Sequence, residues 1–95
     1  MKYAAKIDAN QPAIVRALRA VGAQVVILSA VGGGIPDLLV SFKRTFLIEV
    51  KDGAKPPSAR KLTPDQVVFH AWWSGEIYVV ETVEQAIEVT LRGTA

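Results

Sequence analysis

Two apolar segments near the middle of the chain, residues 37–42 and 46–51, are separated by only three residues. A connection this short joins antiparallel strands, because parallel strands need a much longer crossover. The two segments therefore predict a β-hairpin. In a hairpin the beginning of the first strand lies beside the end of the second, so residue 37 is expected close to residues 49–51.

The remaining pattern predicts helices and strands on either side of this hairpin. A first helix is expected to begin near Asn10, a residue suited to the N-cap, and to end at Gly22. The other predicted elements are a buried strand at 25–28, a polar loop at 52–62, a helix from Thr63 to about residue 74, a strand at 77–80 and a helix at 82–92. This order, helix–three strands–helix–strand–helix, predicts an α/β fold with a mixed sheet flanked by helices. The last strand follows a helical crossover, so we expect it to pair parallel to its neighbour.

Length and composition limit the class of protein. The 95 residues suffice for one hydrophobic core, and we take residues 1–95 as a single domain. Hydrophobic residues make up 51% of the chain, which is high for a small monomer and indicates that a second copy covers part of the apolar surface. The absence of cysteine excludes disulfides and thiolate metal sites. No apolar segment is long enough to span a bilayer and residues 1–6 lack the apolar core of a signal peptide, so we expect a cytoplasmic protein without a membrane partner.

Glu49 is the most unusual residue of the hairpin, because it lies among the apolar residues 46–50. Burying a carboxylate there is costly unless a cation compensates its charge. Since side chains alternate along a strand, Glu49 and Lys51 share one face, and the hairpin brings Asp37 beside them. Two carboxylates and an ammonium group are therefore expected at one end of the sheet. An edge strand with a solvent-facing Glu–Lys pair is the alternative, since Asp after Pro is also common in turns.

Such a cluster suits a metal ion and phosphate chemistry. Asp37, Glu49 and the main-chain carbonyl of Val50 would form a hard oxygen site for Mg²⁺ or Mn²⁺. An ion of this kind lowers the pKa of bound water and neutralises charge that develops on a phosphate. Lys51, held beside two carboxylates, is expected to stay charged and to stabilise the transition state or position the attacking water.

Basic residues are concentrated in the centre of the chain, although the net charge of +2 is too small to argue for nucleic acid by itself. Six of them fall between residues 43 and 61, where Glu49 and Asp52 are the only acids. The loop after the second hairpin strand contributes Lys55, Ser58, Arg60 and Lys61, which we expect to contact the phosphate backbone of DNA. A solvated loop would have the same composition.

The motifs resemble those of a known nuclease family. Pro36-Asp37, followed after a hairpin-length gap by Glu49-Val50-Lys51, resembles the PD-(D/E)XK signature. The longer run GIPDLLV (34–40), IEVKD (48–52), PS (57–58) and KLTPDQ (61–66) resembles the stand-alone virus-type replication-repair nuclease domain, VRR-NUC, of bacteriophages and prophages, over about residues 8–80. This resemblance implies a restriction-endonuclease-like core and divalent-metal hydrolysis of phosphodiester bonds. It also implies a homodimer that acts on structured or duplex DNA.

The resemblance further implies roles for individual residues. Asp37 and Glu49 would bind the metal, Lys51 would be the catalytic lysine, and Gln66 would be the helix glutamine that supports the site. Gln66 also completes a capping box that begins at Thr63, and the two roles are compatible.

The first helix departs from the family pattern. Gln11 stands where relatives commonly have Glu, and it would either coordinate through its carbonyl oxygen or orient Lys51. Asp8 would supply the missing charge or merely start the helix.

The second predicted helix is apolar around much of its circumference, over residues 67–73. We therefore expect one side to pack on the sheet and the other to form a dimer contact. His70 lies one turn beyond Gln66, where a partly buried structural role is favoured over assistance at the site. The three glycines at 32–34 either let a phosphate backbone approach closely or form a plain turn.

Together these features predict an Mg²⁺- or Mn²⁺-dependent endodeoxyribonuclease, acting on junctions or flaps or nicking duplex DNA. The alternative is a DNA-binding module that keeps the nuclease fold but has little or no activity. A structural domain without affinity for nucleic acid is a third interpretation.

Overall fold

The computed structural model describes residues 7–92, and the expectation about residues 1–6 lies outside that range. The elements are α1 (Gln11–Ala20), β1 (Gln24–Ile27), β2 (Leu38–Ser41), β3 (Thr45–Val50), a 3-10 helix (Pro57–Arg60), α2 (Pro64–Trp72), β4 (Ile77–Val80) and α3 (Val83–Arg92). The predicted order of helices and strands is confirmed. The 3-10 helix lies inside the segment that was predicted to be a polar loop.

The four strands form one mixed sheet in the order β1-β2-β3-β4. The β1–β2 and β2–β3 pairs are antiparallel, and β4 runs parallel to β3. The predicted hairpin and the predicted parallel pairing are both confirmed. In the hairpin Leu38 lies opposite Ile48, and Lys43 turns the chain in the left-handed conformation with φ of 64°. Strand β3 therefore occupies the interior of the sheet, with a neighbour on each side.

One face of the sheet forms the hydrophobic core with α1 and α3, which also contact each other. Alternate residues of the hairpin strands point to this face, as their two-residue period requires. The buried side chains include Ile14 and Leu18 of α1, Leu38, Val40, Ile48 and Val50 of the hairpin, and Ala86 and Val89 of α3. Each large aliphatic side chain buried in this way contributes about 1.5–3 kcal/mol to stability. The core thus covers one face of β3, and Glu49 lies on the opposite face.

Arg44 of the hairpin turn links the sheet to the end of α3. Its guanidinium lies 4.3 Å from the centre of the Phe46 ring and donates hydrogen bonds to the carbonyl oxygens of Val89 and Thr90, at 2.7 and 3.0 Å. The last carbonyls of a helix have no partner within the helix, so the arginine satisfies two of them.

The two sides of α2 differ in their surroundings. None of its residues is fully buried, but Gln66, Phe69 and His70 are half-buried, and Gln66 bonds to Glu49 and Lys51 on the sheet face opposite the core. One side of the helix therefore lies against the sheet, as expected. The other side is uncovered, and Val68 and Trp72 are 69% and 72% exposed. No helix among residues 7–92 is long and apolar enough to cross a membrane.

Candidate active site

Glu49 and Lys51 lie on one face at the carboxyl end of β3. Both are buried, with 2% and 8% of their surfaces exposed. Because β3 is an interior strand, the alternative of a solvent-facing pair on an edge strand is excluded. Fully buried charged residues are rare in proteins unless they are paired, so their neighbours decide what the pair can do.

Asp37 lies immediately before β2 and is held by both neighbouring segments. Its Oδ2 accepts a hydrogen bond from the Val50 N–H at 2.8 Å, and its Oδ1 accepts one from the Ser29 hydroxyl at 3.2 Å. Its carbonyl accepts a hydrogen bond from the Leu28 N–H at 2.7 Å, which continues the β1–β2 pairing by one residue. The predicted approach of Asp37 to the end of β3 is thus found.

Gln66 connects α2 to both buried residues of β3. Its Nε2 donates to Glu49 Oε2 at 3.0 Å, while its Oε1 accepts from Lys51 Nζ at 2.8 Å. The same oxygen accepts from the Thr63 N–H, and the Thr63 hydroxyl accepts from the Gln66 N–H, so the capping box is also present. The capping geometry and the contacts with the site therefore occur together.

Gln11, at the beginning of α1, reaches the cluster through Ser29. Gln11 is 2% exposed, and its Nε2 donates to the Ser29 hydroxyl at 2.9 Å. Its Oε1 is buried and has no hydrogen-bond partner among the residues that the structure describes. Sequence reasoning missed Ser29, because nothing in the local sequence shows which side chain after β1 will lie beside Asp37.

The surroundings of Glu49 disfavour its charged form. Burial raises its pKa to about 8, and the hydrogen bond and negative charge of Asp37 act in the same direction. Asp8 also raises the pKa, and Lys51 lowers it without cancelling the effect of burial, so the metal-free carboxyl is mostly protonated at pH 7. The protonated group can donate to Asp37, whereas in the charged form its buried Oε1 has no hydrogen-bond partner within residues 7–92. An added cation would favour the charged form directly.

The oxygen atoms around Glu49 suit a hard divalent cation. Residues 7–92 contain no group of three or more His, Cys, Asp or Glu side chains placed to hold a metal, so neutral oxygens would have to complete the site. Asp37 and Glu49 supply the carboxylates. The unpartnered Oε1 of Gln11 is one neutral candidate, and the carbonyl of Val50, on the same strand edge as its N–H, is another. A set made only of oxygen donors matches the preference of Mg²⁺ or Mn²⁺.

Comparison with known proteins gives one structural match. A solved structure described as a VRR_NUC domain superimposes with a TM-score of 0.65 and 24% sequence identity, covering 92% of this chain and 100% of that one. This chain has the fold of a VRR_NUC domain. No family model matches the sequence, and a search of curated proteins finds no significant match. The fold indicated by the sequence motifs is therefore confirmed by an independent structural comparison.

Asn10 occupies the N-cap position of α1 in this VRR_NUC-like fold, as predicted. Its backbone is in the helical region (φ −83°, ψ −9°), however, and its side chain makes no capping hydrogen bond. Instead, Nδ2 donates to the carbonyls of Lys51 and Glu81, both at 3.0 Å. Asn10 thus joins the start of α1 to the carboxyl ends of β3 and β4.

The predicted DNA-contacting residues divide into two groups. Two of them form ion pairs, Lys55 with Asp8 at 3.5 Å and Arg60 with Glu81 at 2.9 Å. Ser58 and Lys61 are exposed at the surface of the 3-10 helix and just after it. Since the Arg60 side chain is only 24% exposed, its ion pair with Glu81 chiefly stabilises the fold.

His70 lies on α2 near the ammonium of Lys51. Partial burial lowers its pKa from the usual value, and the positive charge of Lys51 lowers it further. Its Nε2 is buried without a hydrogen-bond partner in the described part of the chain. The imidazole is therefore neutral near pH 7, which agrees with the partly buried position expected for it.

Proposed function

We propose that this chain is a metal-dependent endodeoxyribonuclease that hydrolyses phosphodiester bonds. The observation that carries the proposal is the buried Glu49 carboxylate, which has Asp37 and Lys51 beside it and one oxygen without a partner among the described residues. A purely structural site has no reason to retain a buried acid whose charged form is so unfavourable. A site that binds a cation and a phosphate does.

In this proposal each residue of the cluster has a distinct task. Asp37, Glu49 and the Val50 carbonyl would hold Mg²⁺ or Mn²⁺, and such an ion would supply activation of water and charge neutralisation at the phosphate. Gln66 holds the Lys51 ammonium in place, and the ammonium stabilises the charge that develops on the phosphate oxygens. Water is the nucleophile, so no covalent enzyme intermediate forms. Gln11 contributes at the edge of this cluster through its carbonyl oxygen.

DNA is the proposed substrate, in an intracellular setting of bacterial or phage type. The surface of the 3-10 helix would contact the phosphate backbone through Lys55, Ser58, Arg60 and Lys61. Backbone contacts position the duplex without reading its sequence. Preference for a junction, a flap or a nicked duplex would then depend on DNA shape.

We also propose that two copies associate through α2. Val67, Val68 and Trp72 are 52%, 69% and 72% exposed on one short helix, which is an unusual concentration of apolar surface for a small monomer. A second copy of the same helix is apolar and therefore complementary, as an isologous dimer requires. Sedimentation of the wild-type protein at micromolar concentration tests this association.

Cleavage of supercoiled plasmid and of a synthetic four-way junction tests the proposed activity. The reactions contain Mg²⁺, Mn²⁺ or EDTA, and compare the wild type with Glu49→Ala and Lys51→Ala. Arg16→Ala is the matched control, since it removes one positive charge from an exposed position on α1. We expect cleavage only with metal, loss in both site variants and retention in the control. Absence of cleavage by the folded wild type would contradict the proposal.

A second candidate function is a DNA-binding module with little or no activity. The neutral Gln11, where the resemblance leads one to expect Glu, is the observation that favours it. Such a module would bind DNA with an affinity that falls steeply with salt, because phosphate contacts release counterions. Salt-dependent binding without metal-dependent cleavage would select this function over the nuclease.

A further inference from the structure

Ser29 occupies a position between two residues of the site. The Leu28 N–H bonds to the Asp37 carbonyl, which places the next residue of the chain beside the Asp37 side chain. From there the Ser29 hydroxyl accepts a hydrogen bond from Gln11 Nε2 at 2.9 Å and lies 3.2 Å from Asp37 Oδ1, to which it donates. A hydroxyl has one proton, so donation to the carboxylate leaves only its lone pairs for Gln11.

This arrangement fixes the orientation of the Gln11 amide. A free glutamine side chain presents either its NH₂ group or its oxygen to a given neighbour with little difference in energy. Because Ser29 has no second proton to offer, it accepts only the NH₂ group of Gln11. The carbonyl oxygen is then turned away from Ser29, and it is the buried Oε1 that has no partner within the described chain. The side chain as a whole is only 2% exposed, so water does not readily satisfy that oxygen.

We propose that Ser29 is a positioning residue that makes Gln11 an oxygen donor for the metal while it orients Asp37. The inference rests on the proposed function, because it assigns a task to residues of the same site. A neutral amide in this position adds an oxygen ligand without adding a third negative charge. A Gln11→Glu substitution would instead leave the single Ser29 proton between two carboxylates, the introduced one and that of Asp37. Ser29 therefore suits a glutamine at position 11 better than a glutamate.

The proposal predicts energetic coupling between Ser29 and Gln11 in metal binding. The test is a double-mutant cycle of Ser29→Ala, Gln11→Ala and the double variant, with the Mn²⁺ dissociation constant measured by calorimetry in the absence of DNA. Residues that orient metal ligands change metal affinity by about 10- to 100-fold. We therefore expect each single variant to weaken Mn²⁺ binding about tenfold, and the double variant to be no weaker than the weaker single variant.

Two controls separate positioning from general loss of structure. Ser29→Thr keeps the hydroxyl and is expected to retain Mn²⁺ affinity, whereas Ser74→Ala removes an exposed hydroxyl that has no role in the site and is expected to leave Mn²⁺ affinity unchanged. Thermal unfolding of each variant in EDTA shows whether it is folded. Affinities that fall independently in the two single variants, or an unchanged affinity in Ser29→Ala, would overturn the inference. Failure of the wild type to bind Mn²⁺ at all would instead overturn the proposed function.

Discussion

Glu49 has opposite effects on stability and on the proposed chemistry. Its carboxylate is 2% exposed, and Gln66 provides a hydrogen bond to only one of its oxygens. Burial, together with the hydrogen bond and negative charge of Asp37, raises the pKa of Glu49 to about 8. Folding of the metal-free protein at pH 7 therefore requires Glu49 to take up a proton, which costs stability. A bound cation would favour the charged form and release that proton.

Glu49→Gln is predicted to stabilise the metal-free protein. The neutral amide can make the same hydrogen bonds as the protonated carboxyl, accepting from Gln66 and donating to Asp37, but it does not have to take up a proton when the protein folds at pH 7. We expect a gain of about 1–3 kcal/mol at pH 7, which disappears below the ordinary carboxyl pKa of 4.5. For a domain of this size each 1 kcal/mol raises Tm by about 4–8 °C.

Thermal unfolding in EDTA measures this effect. Glu84→Gln, at an exposed position of α3, is the control and should leave Tm nearly unchanged. Added Mn²⁺ should raise the Tm of the wild type but not that of Glu49→Gln, because ligands stabilise only the folded state that binds them. A lower Tm of Glu49→Gln in EDTA would show that Glu49 is already compensated.

Residues joined by local geometry could be predicted from the sequence, and residues joined by distant contacts could not. The approach of Asp37 to Glu49 follows from a hairpin with a three-residue connection, so the sequence alone predicts it. Ser29 and Asn10 reach the site through bonds that span 18 and 41 residues. Such contacts depend on how α1 packs on the sheet, which no local pattern specifies.

At the scale of elements, the first turn of α2 is positioned by the glycine loop before β2. A Cβ atom on Gly34 would lie 2.6 Å from the main-chain carbonyl carbon of Asp65, and closer still to its oxygen, in the turn that carries Gln66. No side chain fits in that space. The glycine loop therefore lies directly against the backbone of α2 at Asp65. The next residue of α2, Gln66, is the one that bonds to Lys51 and Glu49.

Gly34→Ala is predicted to displace this turn and to weaken the hydrogen bond between Gln66 and Lys51. Gly33→Ala is a matched control, because Gly33 also has a positive φ but has open space around its Cβ position. Both variants therefore carry the same kind of backbone strain. We expect cleavage to fall about 10- to 100-fold in Gly34→Ala beyond any loss in Gly33→Ala. Equal cleavage rates in the two variants would mean that the contact with Asp65 does not position the site.

The 3-10 helix offers a second comparison, between two neighbouring basic residues. Lys61 is exposed, so Lys61→Ala should weaken DNA binding and reduce the slope of log K against log salt by about 1. Arg60 is paired with Glu81, so Arg60→Ala should chiefly lower stability, by about 1 kcal/mol. Fluorescence anisotropy over a salt series, together with thermal unfolding, separates the two effects. A larger change of salt slope in Arg60→Ala than in Lys61→Ala would reverse this assignment.

The elements also show where periodicity stops being informative. The apolar residues of the hairpin predict both a strand and its buried face, because each strand has a neighbour in the sequence to pair with. The apolar residues of α2 predict a helix correctly, but they do not show what covers the side on which Val68 and Trp72 are exposed. An apolar pattern indicates that a surface is buried, but it does not identify the element or the second chain that covers it.

At the scale of the whole molecule, the exposed surface of α2 is proposed to join two copies. Val68→Glu places a charge in the centre of this surface and is predicted to yield a monomer at concentrations where the wild type is a dimer. Leu91→Glu, at a half-exposed position of α3, is the control and should not change the sedimentation coefficient. A wild type that sediments as a monomer at micromolar concentration would contradict the proposed association.

The central claim is that the buried acidic cluster cleaves DNA with a divalent metal. Glu49→Gln tests this claim because the variant is expected to be folded, so a loss of cleavage could not be attributed to unfolding. The measurement is the nicking rate of supercoiled plasmid by wild type and Glu49→Gln in Mg²⁺, in Mn²⁺ and in EDTA. We predict that the wild type nicks the plasmid only with metal, and that the more stable Glu49→Gln protein does not nick it in any condition. Equal nicking by the two proteins, or nicking by the wild type in EDTA, would contradict the claim.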